Sequence, residues 1–163
     1  MKCYFLRHGI AVEPESWSGA DFDRPLTREG RSRMERQAEA IAQLALGIER
    51  IVSSPLLRAK QTADILAAQI GMRGRVNEDR RLGGGFDIAA LDAILGAHAD
   101  ADIVILVGHQ PSMGSTIGRA IGAASIELKK AALAGVEFPA HLAANGTLLC
   151  LIPPKVLLAL GKR

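Results

Sequence analysis

The apolar run Ile103-Val104-Ile105-Leu106-Val107 constrains the fold of this chain more than any other segment. The run is continuous and rich in β-branched residues, and it lacks the apolar-polar alternation of a strand with one face in water. Such a run is typical of a central parallel strand that is covered on both faces. A parallel sheet with helices on both sides is the architecture that this segment favours.

Strand-like and helix-like segments alternate along the rest of the chain, which supports that architecture. Predicted strands cover residues 2–6, 50–52, 75–77, 103–107, 126–138 and 147–152, the last two as a hairpin or an edge pair. Predicted helices run from Thr27 to Gly47, Pro55 to Gly71, Ile88 to Ala97 and Pro111 to Ile121, with a short one after Pro153-Pro154. This alternation predicts a three-layer α/β/α sandwich with a mostly parallel central sheet.

The composition predicts one globular domain over residues 1–163. Hydrophobic residues make up 48% of the chain and charged residues 23%, and no segment has the low hydrophobicity that predicts disorder. Cys3 and Cys150 lie in apolar strand-like segments, so two buried reduced thiols are expected rather than a disulfide or a zinc site. No stretch approaches the roughly 20 apolar residues that span a bilayer. A cytoplasmic monomer without membrane attachment is expected.

The charge of the chain permits an acidic partner but does not indicate a nucleic acid. The net charge is +3 and the pI is near 9.1, yet the basic residues are dispersed and interleaved with Glu and Asp. One Trp and one Tyr offer almost no surface on which bases stack. Part of the positive charge is expected to lie in an anion-binding pocket.

Polar side chains follow three of the predicted strands at their carboxyl ends. Arg7 and His8 follow the first strand. Arg58 lies about one helical turn beyond the second strand, and His109 follows the central one. Because the carboxyl ends of parallel strands lie along one rim of the sheet, we expect these side chains to converge on one pocket.

Two arginines and two histidines in one pocket suit a phosphoryl group. The planar fork of Arg matches phosphate oxygens. A neutral imidazole is a nucleophile toward phosphorus, and the resulting phosphohistidine is hydrolysed by water in a second step. A second, protonated histidine stabilises the charge on the equatorial oxygens. Such a site needs no metal, and no local motif for a metal is present, so neither a metal nor a cofactor is expected.

An ordered set of motifs carries a family resemblance over about two thirds of the chain. The set is Arg7-His8-Gly9, Asp21 with Arg24-Pro25-Leu26-Thr27 and Gly30, Ser53-Ser54-Pro55 with Arg58, and Gly108-His109-Gln110-Pro111. It resembles the histidine phosphatase superfamily, which includes the cofactor-dependent phosphoglycerate mutases, and within it the phosphohistidine phosphatases of the SixA type. The resemblance implies a phosphoglycerate mutase-like fold.

The resemblance also implies roles for individual residues. His8 is implied as the phosphorylated nucleophile, and Arg7, Arg58 and His109 as the rest of the phosphate pocket. Arg24 has two interpretations of equal weight. It is either a further phosphate ligand or a structural arginine paired with Asp21 or Asp23.

This chain departs from the wider superfamily in having no recognisable general acid. Mutases and many phosphomonoesterases of the group supply Glu or Asp after the third strand. Glu78, Asp79 and Asp87 are available there, but none lies in a recognisable motif. A phosphohistidine needs such an acid less than an alkyl ester does, because its P–N bond is labile and imidazole can take a proton from solvent.

Three functions stay open at this point. The favoured one is a phosphatase that removes phosphate from phosphohistidine on a signalling or phosphotransfer protein, for example a histidine-containing phosphotransfer domain. Short connections leave an open site for such a bulky substrate, with the loop 10–25 and the glycine loop Gly83-Gly84-Gly85 as its rim. The alternatives are a small-molecule phosphomonoesterase with the same site and a non-catalytic module that binds phosphate.

Overall fold

The computed structural model describes residues 1–123, 126–139 and 142–161, and six strands and five α-helices lie within these ranges. The strands are β1 (Lys2–Arg7), β2 (Arg50–Ser53), β3 (Val76–Glu78), β4 (Ile103–Gly108), β5 (Leu133–Glu137) and β6 (Thr147–Ile152). The helices are α1 (Arg28–Gln43), α2 (Leu57–Gln69), α3 (Ile88–Ala97), α4 (Ser112–Ala120) and α5 (Pro154–Leu160). None of these helices is long and apolar enough to cross a membrane.

One six-stranded sheet forms the middle layer, in the order β3-β2-β4-β1-β5-β6. The first four strands of that order run parallel, and β5 and β6 form an antiparallel pair at one edge. Helices α1, α2 and α5 pack on one face of the sheet, and α3 and α4 pack on the other. The predicted three-layer α/β/α sandwich with a mostly parallel sheet is confirmed.

The run that predicted a central strand forms β4, between β2 and β1. Val104 and Leu106 pack into the apolar cluster beneath α3 and α4, and Ile105 and Val107 pack into the cluster beneath α1 and α2. All four side chains are fully buried, so each stabilises the fold by about 1.5–3 kcal/mol. An alternating sequence would leave polar groups in one of the two clusters.

The crevice that holds the candidate site lies at the carboxyl ends of β1 and β4. From β1 the chain passes through α1 to β2, and from β4 it passes through α4 to β5, on the other side of β1. Because α1 and α4 lie on opposite faces, a crevice opens between them. Arg7 and Gly108 are register partners, and His8 and His109 therefore leave the sheet side by side.

Residues 126–132 were predicted as strand, and that prediction is wrong. This segment folds over the end of β1, where the Ala131 N–H donates to the carbonyls of Arg7 and His8, each at 3.1 Å. Ala131 has a φ of 61°, in the left-handed region that interrupts a strand. Its N–H is thereby unavailable to the sheet, and β5 begins only at Leu133.

Two smaller predictions also need correction. The helix expected from Pro55 begins at Leu57, because Ser54 Oγ accepts the Leu56 N–H at 3.3 Å and holds the chain in a turn. Both cysteines are free thiols, but only Cys3 is buried. Cys150 is half-buried because it lies on the edge strand β6.

Gly30, in the first turn of α1, lets this helix lie against the loop after β1. The Gly30 N–H donates to Thr27 Oγ1 at 2.8 Å, and a β-carbon on Gly30 would lie 1.9 Å from the carbonyl oxygen of Ile10. Gly30→Ala must displace backbone next to His8, so we expect it to lower the free energy of unfolding by about 3 kcal/mol, measured by urea denaturation.

Gly96→Ala in α3 is the matched control, because a β-carbon there meets open space. We expect this control to leave the protein as stable or to stabilise it by about 0.5–1 kcal/mol. Equal urea midpoints for Gly30→Ala and the parent would contradict the close contact between α1 and the loop.

Candidate active site

The side chains predicted to converge line one cavity of about 200 Å³ above the ends of β1 and β4. Its walls are Arg7, His8, Ala11, Glu13, Pro14, Arg24, Arg58, His109, Gln110 and Lys130. Arg7 ends β1, His8 and His109 directly follow β1 and β4, and Arg58 lies in the first turn of α2. A neighbouring cavity of about 410 Å³ shares Arg58 and His109 and includes the glycine loop 83–85. Both predicted rim loops therefore border the site.

His8 is held as a neutral imidazole with a free Nε2. The residue is 7% exposed, and its Nδ1 lies 2.7 Å from the Gly9 carbonyl oxygen. A carbonyl only accepts hydrogen bonds, so Nδ1 carries the proton and Nε2 keeps its lone pair. Burial, and then the nearby His109, Arg58 and Arg7, lower the pKa of His8 to about 3. His8 is thus neutral at neutral pH, with a lone pair on Nε2.

A short hydrogen-bond chain sets the position of His8 relative to α2. The Gly9 N–H donates to Thr62 Oγ1 at 3.0 Å, and the Thr62 hydroxyl donates to the Arg58 carbonyl at 2.8 Å. The His8 N–H donates to the Gly108 carbonyl at 3.0 Å. These bonds tie the loop after β1 to both α2 and β4, which carry the other polar groups of the cavity.

His109 faces His8, with the two ring centroids 5.1 Å apart. Its Nε2 lies 2.8 Å from Ser54 Oγ. That oxygen accepts the Leu56 N–H, and its own proton is free to donate to Nε2. In the tautomer that accepts this bond, the proton of neutral His109 lies on Nδ1. Burial first, and then Arg58, lower the pKa of His109 to about 4, and a bound anion raises the pKa again because it favours the charged form.

The two arginines are positioned by different partners. Arg7 Nη1 donates to the Leu128 carbonyl at 2.8 Å. Arg58 is 6% exposed and donates through Nη1 to the Asp21 carbonyl at 2.9 Å and through Nη2 to Asp21 Oδ2 at 3.1 Å. Burial lowers the pKa of both guanidinium groups. Because the ordinary pKa of arginine is very high, both groups stay charged.

Three buried nitrogens of these residues have no hydrogen-bond partner in the described part of the chain: Arg7 Nε, Arg58 Nε and His109 Nδ1. An unpaired buried donor costs about 1–3 kcal/mol, and such groups are uncommon in folded proteins. All three belong to side chains that line the same cavity as His8. A tetrahedral oxyanion has oxygens enough to accept from all of them, so the arrangement suits a phosphoryl group.

Arg24 has the structural pairing that one of its two interpretations expected, and its role as a phosphate ligand stays a prediction. It lines the cavity, and its Nε donates to Asp21 Oδ1 at 2.8 Å while its Nη1 donates to the Val12 carbonyl at 2.6 Å. Asp21 therefore joins Arg24 to Arg58. The hydrogen bond from Arg24, and after it the contacts with Arg58, lower the pKa of the Asp21 carboxyl group. The pairing partner is Asp21 and not Asp23. The position of Asp21 three residues before Arg24 was the signal for this bridge.

The three candidate acids lie outside both cavities. Glu78 pairs with Lys60 at 2.5 Å, Asp79 pairs with Arg81 at 2.6 Å, and Asp87 caps α3 by accepting the Ala90 N–H at 2.8 Å. Each carboxylate thus has a structural partner.

A carboxylate that the motifs did not mark lies in the wall of the cavity. Glu13 pairs there with Lys130 at 3.1 Å, across 117 positions of sequence. The contact depends on how residues 126–132 fold over β1, so local sequence could not reveal it.

Comparison with known proteins supplies the family of this chain. The family model for the histidine phosphatase superfamily, branch 1, matches residues 3–83. The chain belongs to this superfamily. An uncharacterized protein of Picosynechococcus sp. is 41% identical to it over 143 residues, which cover 84% of this chain and 85% of that protein.

Solved structures of phosphatases are similar to this chain over nearly its whole length. The protein histidine phosphatase SixA complexed with tungstate aligns with a TM-score of 0.85 and 25% identity, over 96% of this chain and 99% of that one. A mycobacterial glucosyl-3-phosphoglycerate phosphatase complexed with VO3 aligns with a TM-score of 0.73 and 18% identity, over 93% and 99% of the two chains. At that lower identity the likeness concerns the fold.

Within the described ranges, no group of three or more His, Cys, Asp and Glu side chains is placed to hold a metal ion. The nitrogens that surround the histidine phosphatase cavity are mostly guanidinium donors, which bind anions.

The lowered pKa of His8 makes a prediction about stability. Between its ordinary value of 6.5 and its folded value of about 3, the unfolded chain binds a proton that the folded chain does not. Stability is therefore full above the ordinary value and falls as the pH falls. From about pH 7.5 to about pH 5 this one group should remove about 2 kcal/mol.

His8→Asn removes the titrating group, so its urea midpoint should fall less than that of the parent over this pH range. His98→Asn, at the end of α3 and away from the cavity, is the control and should follow the parent. Identical pH dependence in the parent and His8→Asn would show that His8 is not buried in its neutral form.

Proposed function

We propose that this histidine phosphatase works through a phosphohistidine intermediate on His8 and that its substrate is phosphohistidine on a protein. The observation that carries the proposal is the set of three unpartnered nitrogens around a neutral imidazole with a free Nε2. They offer three donors to phosphate oxygens and one nucleophile to phosphorus. We propose no role for a metal or a cofactor.

In the first step the lone pair of His8 Nε2 attacks phosphorus. A new N–P bond forms as the bond between phosphorus and the substrate imidazole breaks on the opposite side, and the departing imidazole takes a proton from solvent. Arg7 and Arg58 bind the equatorial oxygens throughout. His109 donates from Nδ1 to the oxygen on which negative charge grows.

In the second step water attacks the phosphorus on His8. The P–O bond forms as the P–Nε2 bond breaks and its electron pair returns to Nε2, and inorganic phosphate leaves with the oxygen of the water, whose proton passes to the phosphate or to solvent. The surroundings that lower the pKa of His8 to about 3 also make its imidazole a weakly basic leaving group. The same environment therefore assists the release of phosphate from His8 in the second step, and it keeps Nε2 unprotonated before the first step.

Two features favour a phosphohistidine over an alkyl phosphate ester. Glu78, Asp79 and Asp87 lie outside both cavities and have structural partners there, so we assign none of them as proton donor to a poor leaving group. The larger cavity beside His109 opens between the glycine loop and the loop before α4, with room for a bulky substrate. The similarity to the SixA structure supports the same choice.

The alternative is a phosphomonoesterase, and one observation favours it. Glu13 lies in the wall of the His8 cavity, where a protonated carboxyl could serve an alkoxide leaving group. A general acid must be held beside the leaving group, whereas the Glu13 side chain is exposed and only weakly paired with Lys130, so we rank the alternative second.

The two functions are separated by turnover of a chemically phosphorylated phosphohistidine protein against a panel of sugar phosphates, nucleotides and phosphoserine. We expect kcat/KM to favour phosphohistidine by about 100-fold. Hydrolysis of an alkyl ester requires a general acid, and the proposed site offers none. Preference for an alkyl ester, abolished by Glu13→Gln, would reverse the choice. Tight phosphate binding without hydrolysis at any pH would indicate the third function, a binding module.

A further inference from the structure

A third cavity, of about 300 Å³, adjoins the His8 cavity and shares two of its wall residues, Arg7 and Lys130. Its walls include Arg7, Arg33, Gln37, Lys129, Lys130 and Pro154. We call it the rear cavity. The proposed reaction uses Arg7 alone among these side chains, so the other cationic groups need a separate explanation.

The rear cavity has a strongly positive lining. Arg7, Arg33, Lys129 and Lys130 contribute four cationic groups, and none of its wall residues is acidic. Two carboxylates pair with this set from outside the cavity wall: Glu29 with Arg33 at 2.7 Å and Glu13 with Lys130 at 3.1 Å. Both pairs are well exposed and hold their partners weakly. An anion from another molecule can therefore compete for these cations.

The inner wall of the rear cavity adds a buried amide. Gln37 on α1 is 3% exposed, and its Nε2 lies 3.5 Å from the Pro154 carbonyl, at the limit of a hydrogen bond. Arg7, half-buried at the boundary with the His8 cavity, adds a partly desolvated charge. Attraction for an anion is stronger beside such groups than on an open surface, because less water screens it.

We propose that the rear cavity binds carboxylate side chains that flank the phosphorylated histidine of the protein substrate. This inference rests on the proposed function, since it takes a phosphohistidine in the His8 cavity as its starting point. An extended peptide advances by about 3.3 Å per residue. Side chains a few positions from the phosphohistidine can therefore reach past Arg7 and Lys130 into the rear cavity. Asp or Glu at those positions would meet Arg33 and Lys129.

The test uses two synthetic phosphohistidine peptides that differ only beside the phosphorylated residue. One carries glutamates on both sides of it, and the other carries glutamines at the same positions. The readout is the ratio of kcat/KM for the two peptides on the same enzyme, so a general loss of activity cancels. We expect the parent to prefer the glutamate peptide by about tenfold, and less at high salt.

Arg33→Glu and Lys129→Glu each place a negative charge in the rear cavity, and we expect each to bring the ratio to about one or below. Arg31→Glu is the matched control. It makes the same charge change two positions away on α1, at an exposed residue outside the cavity wall, and should keep most of the preference.

The outcomes separate the inference from the function on which it rests. A parent enzyme that hydrolyses both peptides equally well, or a preference that survives in Arg33→Glu and Lys129→Glu, overturns the rear cavity as a docking site and leaves the proposed function intact. An equal loss of the preference in Arg31→Glu would show that the net charge of the enzyme alone causes the preference, which also overturns the inference. A parent that hydrolyses neither peptide refutes the proposed function, and the inference with it.

Discussion

His8→Asn is expected to abolish the phosphorylated enzyme and to lower turnover by about 10,000-fold or more. The proposed nucleophile is Nε2 of a ring whose Nδ1 donates to the Gly9 carbonyl. The amide of asparagine can donate to the same carbonyl, so the loop after β1 keeps its contact while the nucleophilic nitrogen is lost. The measurement is rapid acid-free quenching with a substrate labelled in its phosphoryl group, followed by counting label on the protein.

His98→Asn is the control for that experiment, because it makes the same chemical change at the end of α3. The control should form labelled enzyme at the rate of the parent. Full activity in His8→Asn, or label that persists on another residue such as His109, would refute His8 as the nucleophile.

Arg58→Met is expected to reduce kcat/KM by about 100- to 1,000-fold. Arg58 is nearly buried, Asp21 holds its two terminal nitrogens, and its Nε has no partner in the described structure. Methionine replaces most of the apolar stem but offers no donor to the phosphate oxygens. The measurement is kcat/KM on the phosphohistidine substrate, together with inhibition by inorganic phosphate, which should weaken in parallel.

Arg24→Met is the matched comparison for Arg58→Met, since it removes a second guanidinium from the same cavity. The Nε and Nη1 of Arg24 already bind Asp21 and the Val12 carbonyl, so we expect a loss of only about tenfold. Equal losses in the two variants would make Arg24 a phosphate ligand of the same rank. Urea midpoints should confirm that both variants are folded.

The central layer of the fold could be predicted because its signals are local. The five-residue apolar run of β4 is buried on both faces, and apolar residues at helical spacing form α1 and α2. The prediction failed at residues 126–132, where the sequence is also apolar enough for a strand. Contacts of Ala131 and Leu128 with Arg7 and His8 decide that segment, and those partners are more than 100 positions away.

The main cavity residues could be predicted because of where they stand on the chain. His8 and His109 each follow a parallel strand, and the geometry of such a sheet brings those positions to one rim. The contact of Asp21 with Arg58 and that of Glu13 with Lys130 carry no such signal. They are set by the packing of α2 and by the segment that folds over β1.

By itself the sequence determined the order of strands and helices along the chain. It also determined which four polar side chains meet at the carboxyl rim of the sheet. Hydrophobic burial and strand geometry act over a few residues, and they leave a readable pattern. The tertiary structure alone decided which donors stay unpaired, which carboxylates are engaged elsewhere, and that a positive cavity lies next to Arg7. These properties depend on distances between segments far apart in the chain, since hydrogen bonding and desolvation act between groups only after packing has brought them together.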